Sequence, residues 1–268
     1  MKERIITGIV LAIVALWAIV GFSLYVFEAV IGIVLLIAAM EWVKSFLSVK
    51  SIVGQIAYLV VIAFISWACW QYPQVQIHVL AASVLWWLIA CILIRFYSIG
   101  IITKISKVVK AIMGVCVIVP AWVAVIILKD GHSLFLLFVI LAVTLADSGA
   151  YFVGKFFGKH KLAPNISPKK TWEGLAGGVF FSAIGSVIFA LVLHLDTPMQ
   201  YAILIVLGIF VVFFALLGDL FESMIKREVG IKDSGNILPG HGGILDRLDS
   251  LFVALPLFVF FASIVGVL

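Results

Sequence analysis

Along this chain, long apolar runs alternate with short polar connections. The runs are continuous, without the one-in-two alternation over about ten residues that marks a barrel strand. Nine of them are long enough to be predicted as membrane-crossing helices: 5–22, 24–43, 52–71, 75–94, 111–128, 133–154, 174–194, 199–221 and 251–268. A helix needs roughly 20 residues to cross about 30 Å of hydrocarbon. Lys2 and Arg4 give the first run the look of a signal peptide. It lacks a small-x-small cleavage site before the next apolar run, so it counts as a span.

Composition agrees with the pattern. Mean hydropathy is +1.31 and 12% of the 268 residues are charged, whereas a soluble domain carries roughly a quarter. The expected fold is an all-α, polytopic transmembrane bundle. No polar segment is long enough to fold alone, so 1–268 reads as one membrane domain. Its N-terminal spans occupy 1–130 and a polar, motif-bearing portion 131–268. Cys69, Cys91 and Cys116 lie in or beside apolar spans without paired or metal-ligand spacing, and read as small buried hydrophobes.

Charge assigns the sides. With nine spans, 17 of the 18 Lys and Arg fall on one face and Lys129 alone on the other. The positive-inside rule then predicts a cytoplasmic N-terminus and an outside C-terminus. A pI of 9.1 fits a face apposed to anionic lipid and calls for no nucleic acid.

The remaining polar residues cluster. Ten of the 31 charged residues lie between Asp219 and Asp249. Asp219 sits at the end of one span; Asp246 and Asp249 open the next, spaced to share a helix face. Carboxylates at membrane depth are costly unless paired or functional. Two readings stay open: hard oxygen donors for Mg²⁺, or ion pairs with Lys226, Arg227 and Arg247. Between them, Gly242, Gly243 and Gly240 surround His241, in a turn that can approach an anion closely. Upstream, Lys169 and Lys170 precede Thr171, a candidate N-cap, with Glu173 in the first helical turn. Asp147 interrupts an apolar span and is a functional candidate, with a buried lysine pair as the alternative. Glu41 reads as interfacial and Glu28 as near the outer surface; neither is assigned chemistry. His78, His132 and His194 are isolated near span ends.

The string SMIKREVGIKDSGNILPGHGGILDRLD, residues 223–249, resembles the phosphatidate cytidylyltransferases, also called CDP-diacylglycerol synthases. The matching positions are Ser223, Lys226, Arg227, Lys232, Asp233, Gly235, Leu238, Pro239, His241, Gly242, Gly243, Asp246, Arg247 and Asp249. DSGAYFVGKFFGKHKLAPNISPKKTWEG, from Asp147 to Gly174, is similar to the same family. The motif-bearing resemblance covers roughly 147–250.

The resemblance implies that CTP and phosphatidic acid give CDP-diacylglycerol and pyrophosphate, for phospholipid synthesis, with Mg²⁺ and the number of cations left open. It implies metal ligands at Asp219, Asp246 and Asp249. Catalytic contacts fall to Asp219, Lys226, Arg227, His241, Asp246 and Arg247. Substrate contacts fall to Asp147, Ser167, Lys169, Lys170, Thr171, Glu173, Ser223, Lys232, Asp233, Asn236, Gly242 and Gly243. The expected location is the plasma (inner) membrane, with the site on the cytoplasmic side and a homodimer as an option. A CTP-dependent polyprenol or phytol kinase is the nearest alternative, and a secondary transporter of an anionic solute a more distant one. No GxxxxGK[ST], GxGxxG or Asp-Gly-x-x-Ala-Arg run is present.

Overall fold

The chain is an all-α polytopic membrane protein. The computed structural model describes residues 13–238 and 242–268. Among these, eight helices are long and apolar enough to cross a membrane. They match eight of the nine expected spans. The first span, 5–22, falls partly outside the described residues; 13–21 are helical.

The helices follow as α1 Leu24–Glu41, extended by a π-helical turn Trp42–Phe46; α2 Ile52–Gln71; α3 Pro73–Ser98; α4 Lys107–Lys129; and α5 Ser133–Phe157. After a two-stranded hairpin come α6 Trp172–Val192, α7 Pro198–Val229, the short α8 Leu245–Leu248 and α9 Leu251–Ile264. Local chemistry sets the ends. The Ser51, Ser106 and Thr171 hydroxyls accept from Gly54, Val109 and Gly174 N–H groups, and Thr197 with Gln200 forms a capping box. Each supplies a partner for an otherwise orphan helix-terminal amide.

α4 and α9 are the most buried spans and α2 the least, so α2 presents most of its surface outward, where hydrocarbon would cover it. α5 and α6 are held unusually close by small residues. A Cβ at Gly149 would sit 2.8 Å from the Gly177 carbonyl oxygen, and one at Gly174 2.9 Å from that of Ala150. Lipid offers no hydrophobic drive between helices, so such backbone approach is a main source of cohesion.

Three expectations need correction. The helix ending near 221 continues to Val229 and closes at Gly230, φ 75°, a left-handed C-cap. Ser223, Lys226 and Arg227 therefore stand on helix α7, not in a loop. The stretch 159–174 is no plain loop: β1 Lys161–Ala163 pairs antiparallel with β2 Ser167–Thr171, and Trp172 N–H donates to the His160 carbonyl to close its base. Of the cysteines, Cys69 is buried but Cys91 is exposed.

Contacts gather the polar connections at one end of the bundle. Ser45 reaches the Ser234 carbonyl, Asn165 that of Ser98, and Arg227 that of Ile166. Buried Lys110 and Glu228 pair at 2.8 Å, and the same carboxylate accepts from Ile105 N–H. Thus the connections after α1, α3, α5 and α7, assigned to one face by charge, touch one another.

Candidate active site

A cavity of about 490 Å³ opens at this polar end between α5, the hairpin, α6, α7 and α8. Asp147, Asp219, Asp233, Asp246 and Asp249 line it, against Lys169, Lys170, Lys226 and Arg247. Ser167, Thr171 and Ser250 add polar groups, while Tyr151, Leu175, Val212 and Leu216 form apolar wall.

Two close approaches bring the carboxylates together. α7 and the α8–α9 junction cross at Gly218, where a Cβ would lie 2.2 Å from the Asp249 carbonyl oxygen and 2.8 Å from Val253. Any side chain there would push Asp249 away from the neighbouring Asp219. Asp147 is brought to the same cavity by the tight α5–α6 contact at Gly149.

The carboxylates have different surroundings. Asp246 is tied on both oxygens. Oδ1 meets Lys226 Nζ at 2.8 Å; Oδ2 accepts from Ser234 N–H and Gly243 N–H, each at 2.8 Å. Gly242 (φ 83°) leaves room for that oxygen, since a Cβ there would be 2.6 Å from it. Lys226 also meets buried Glu222 at 3.2 Å. Asp219 is looser: Oδ2 pairs with Lys170 of β2 at 2.7 Å, Oδ1 accepts from Ser223 at 3.1 Å, and its side chain is 36% exposed. Asp249 accepts from Ser250 N–H through Oδ1.

These facts bear on a metal ion. Among the described residues no cluster of three or more His, Cys, Asp or Glu is gathered as a ready cage. Mg²⁺ keeps part of its shell for phosphates and water and so needs few protein oxygens; the residues of the lining that could offer them are Asp219, Asp246 and Asp249. Five carboxylates and four cationic side chains share the lining, so the cavity is not cationic by itself. Asp246 has both oxygens engaged, by Lys226 and two amides; Asp219 also has both engaged, by Lys170 and Ser223, so engagement alone does not divide the three-aspartate set.

Other expected residues are divided. Ser167, Lys169, Lys170, Thr171, Asp233 and Arg247 line the cavity with the aspartates. Arg227 does not; its Nε donates to the Ile166 carbonyl at 3.3 Å and ties α7 to the hairpin. Lys232 and Asn236 are exposed outside the lining. Glu173 accepts from the Lys159 and His160 amides and lies 2.6 Å from His160 Nδ1, so it fastens the hairpin to α6. His241 lies outside the described residues.

Two acids escaped the sequence reading. Glu222 lies one turn before Lys226, and that spacing could have signalled it. Glu41, expected at an interface, is only 4% exposed and reaches Leu245 N–H at 2.9 Å across 204 positions. No local signal marks it.

The family model described as "Cytidylyltransferase family" matches residues 2–265. The chain is 38% identical over 263 residues to "Phosphatidate cytidylyltransferase" of Pseudomonas aeruginosa, covering 96% of this chain and 95% of the relative. It is 36% identical over 276 residues to the protein of that name from Bacillus subtilis, covering 98% of each. Against that of Haemophilus influenzae, identity is 34% over 291 residues, covering 97% and 98%.

Proposed function

The chain belongs to the cytidylyltransferase family, and from that premise we propose that it transfers the cytidylyl group of CTP to phosphatidic acid, releasing pyrophosphate. The observation that carries the reading is the cavity itself, whose lining combines charged and apolar side chains. An amphiphilic phosphate monoester and a polyphosphate nucleotide both find matching surface there.

The lipid phosphate is the nucleophile. Its second pKa is about 6, so it is largely dianionic at neutral pH and needs no strong general base. The obstacle is bringing that anion to an α-phosphorus surrounded by negative oxygens. Lys169, Lys170, Ser167 and Thr171 of the hairpin and N-cap hold the lipid phosphate. Lys226 and Arg247, across the cavity, orient the CTP phosphates and stabilise departing pyrophosphate. Asp219 and Asp249 would hold Mg²⁺, which when bound neutralises triphosphate charge. Lys170 is free to turn from Asp219 towards phosphate once the carboxylate has another cation. Asp246 fixes Lys226 and Gly243 rather than touching substrate.

The 17 to one division of basic residues supports a site facing the cytoplasm of the plasma (inner) membrane, where CTP is available. The test is pyrophosphate release by purified protein in detergent with CTP and Mg²⁺. Release that requires phosphatidic acid supports the reading; lipid-independent release, or none, overturns it.

A further inference from the structure

Glu41 stands at the end of α1, in the part of the chain that carries none of the motifs, yet its carboxylate lies under the site. Oε2 accepts from Leu245 N–H at 2.9 Å and from Ser234 Oγ at 3.4 Å. Leu245 begins the short helix that carries Asp246 and Arg247. Ser234 is also the residue whose N–H holds Asp246 Oδ2. The carboxylate fills the space beside two glycines: a Cβ at Gly235 would lie 2.5 Å from Oε1, and one at Gly243 2.5 Å from Oε2. Four residues on, in the π-helical turn, Ser45 Oγ donates to the Ser234 carbonyl at 2.5 Å.

The anchoring of this segment is firm. Trp42 donates its indole N–H to the Lys110 carbonyl at 2.9 Å and stacks on Phe221, two residues beyond Asp219, at 6.4 Å between ring centres. Among the described residues no Lys, Arg or His lies within ion-pair distance of Glu41. A carboxylate buried without a cation is costly; here the Leu245 amide and the Ser234 hydroxyl meet Oε2, while Oε1 is buried with no hydrogen-bond partner among the described residues. A π-helical turn of this kind often marks a functional position.

We propose that Glu41 is a positioning residue for the cytidylyl-transfer site. It holds Ser234 and the start of α8 from below, while Asp246 holds Ser234 and Gly243 from the cavity side. Two carboxylates, one from each half of the chain, thus both hold Ser234 and flank the start of α8, and the pair sets where Lys226 and Arg247 meet CTP. The proposal rests on the cytidylyl-transfer reading and adds to it a named residue of the N-terminal spans.

The test uses the full-length protein purified in detergent, with Glu41→Ala, Glu41→Gln and Ser45→Ala variants, each assayed with CTP and phosphatidic acid varied separately. For Glu41→Ala, kcat/KM for CTP is expected to fall about 100-fold, the cost of a roughly 1 Å misplacement, while KM for phosphatidic acid stays near the wild-type value. Glu41→Gln keeps an acceptor for Leu245 N–H and restores most of the loss. Ser45→Ala, which keeps Glu41, raises KM for CTP less, and it carries the test if Glu41→Ala does not fold. Glu41→Ala or Ser45→Ala with unchanged CTP parameters, equal damage by Gln and Ala, or equal rises in both KM values would overturn the proposal. If the wild-type protein forms no cytidylylated lipid, the family reading has failed and not the role of Glu41.

Discussion

The two charged walls of the cavity are built differently. On the wall made by α7 and α8, Asp246, Lys226 and Glu222 form a buried chain of contacts, with side chains 6%, 13% and 4% exposed. Opposite, Lys170 of the hairpin meets Asp219 in a pair that is 21% and 36% exposed. The first wall is fixed by interactions that would be left uncompensated if broken. The second is held by one ion pair that solvent weakens and a substrate or cation can replace. A site that must admit a polyphosphate and release another needs both kinds: a rigid template and a replaceable contact.

Substituting the aspartates separates the walls most sharply. Asp219→Asn should lower turnover by about 10³-fold, as loss of charge placement at a reacting centre does, and Asp246→Asn by about 10²-fold, through displacement of Lys226. Only Asp246→Asn should also lower the thermal unfolding midpoint, because its amide would turn a donor towards Lys226. Lys226→Met removes the shared cation and leaves Glu222 and Asp246 facing each other. A loss of about 3–5 kcal/mol is expected in denaturant unfolding, the usual cost of orphaning a buried charge. Lys170→Met, on the open wall, should cost under about 1 kcal/mol, as exposed pairs do, yet raise KM for phosphatidic acid.

Gly218 sets the distance between Asp219 and Asp249. Gly218→Ala places a methyl against the Asp249 backbone, which has no flexible end to yield. The rate should fall about 10²-fold through displacement of Asp249 from Asp219, measured as kcat at saturating CTP. Smallest is Thr171→Ala, which deletes the N-cap joining the hairpin to α6. It should cost about 1 kcal/mol and weaken phosphatidic acid binding only modestly, read from unfolding and KM together.

Much of this was legible because charge is scarce. In a chain so apolar, Asp147, Asp219 and the lysines of 169–170 stand out, and the cavity does gather them. The apolar run predicts an end to helix α7 near 221, whereas the helix persists on buried Glu222–Lys226 pairing to its glycine cap. The hairpin carries no alternating apolar pattern in Ser-Pro-Lys-Lys-Thr; it is held at its ends by Glu173, Arg227 and the Trp172–His160 bond. Arg227 was visible as a charge, but not its direction towards Ile166. Glu41 could not be found locally, since a lone glutamate at a span end resembles any interfacial residue and its partners are distant in sequence.

The most direct test follows phosphorus. Wild-type and Asp219→Asn protein would be incubated with phosphatidic acid and CTP labelled at either the α- or the γ-phosphorus, and the lipid then extracted. The account predicts α-label in wild-type lipid, γ-label only in released pyrophosphate, and neither label in lipid from the variant. γ-Label in the lipid, or full α-transfer by Asp219→Asn, would contradict it.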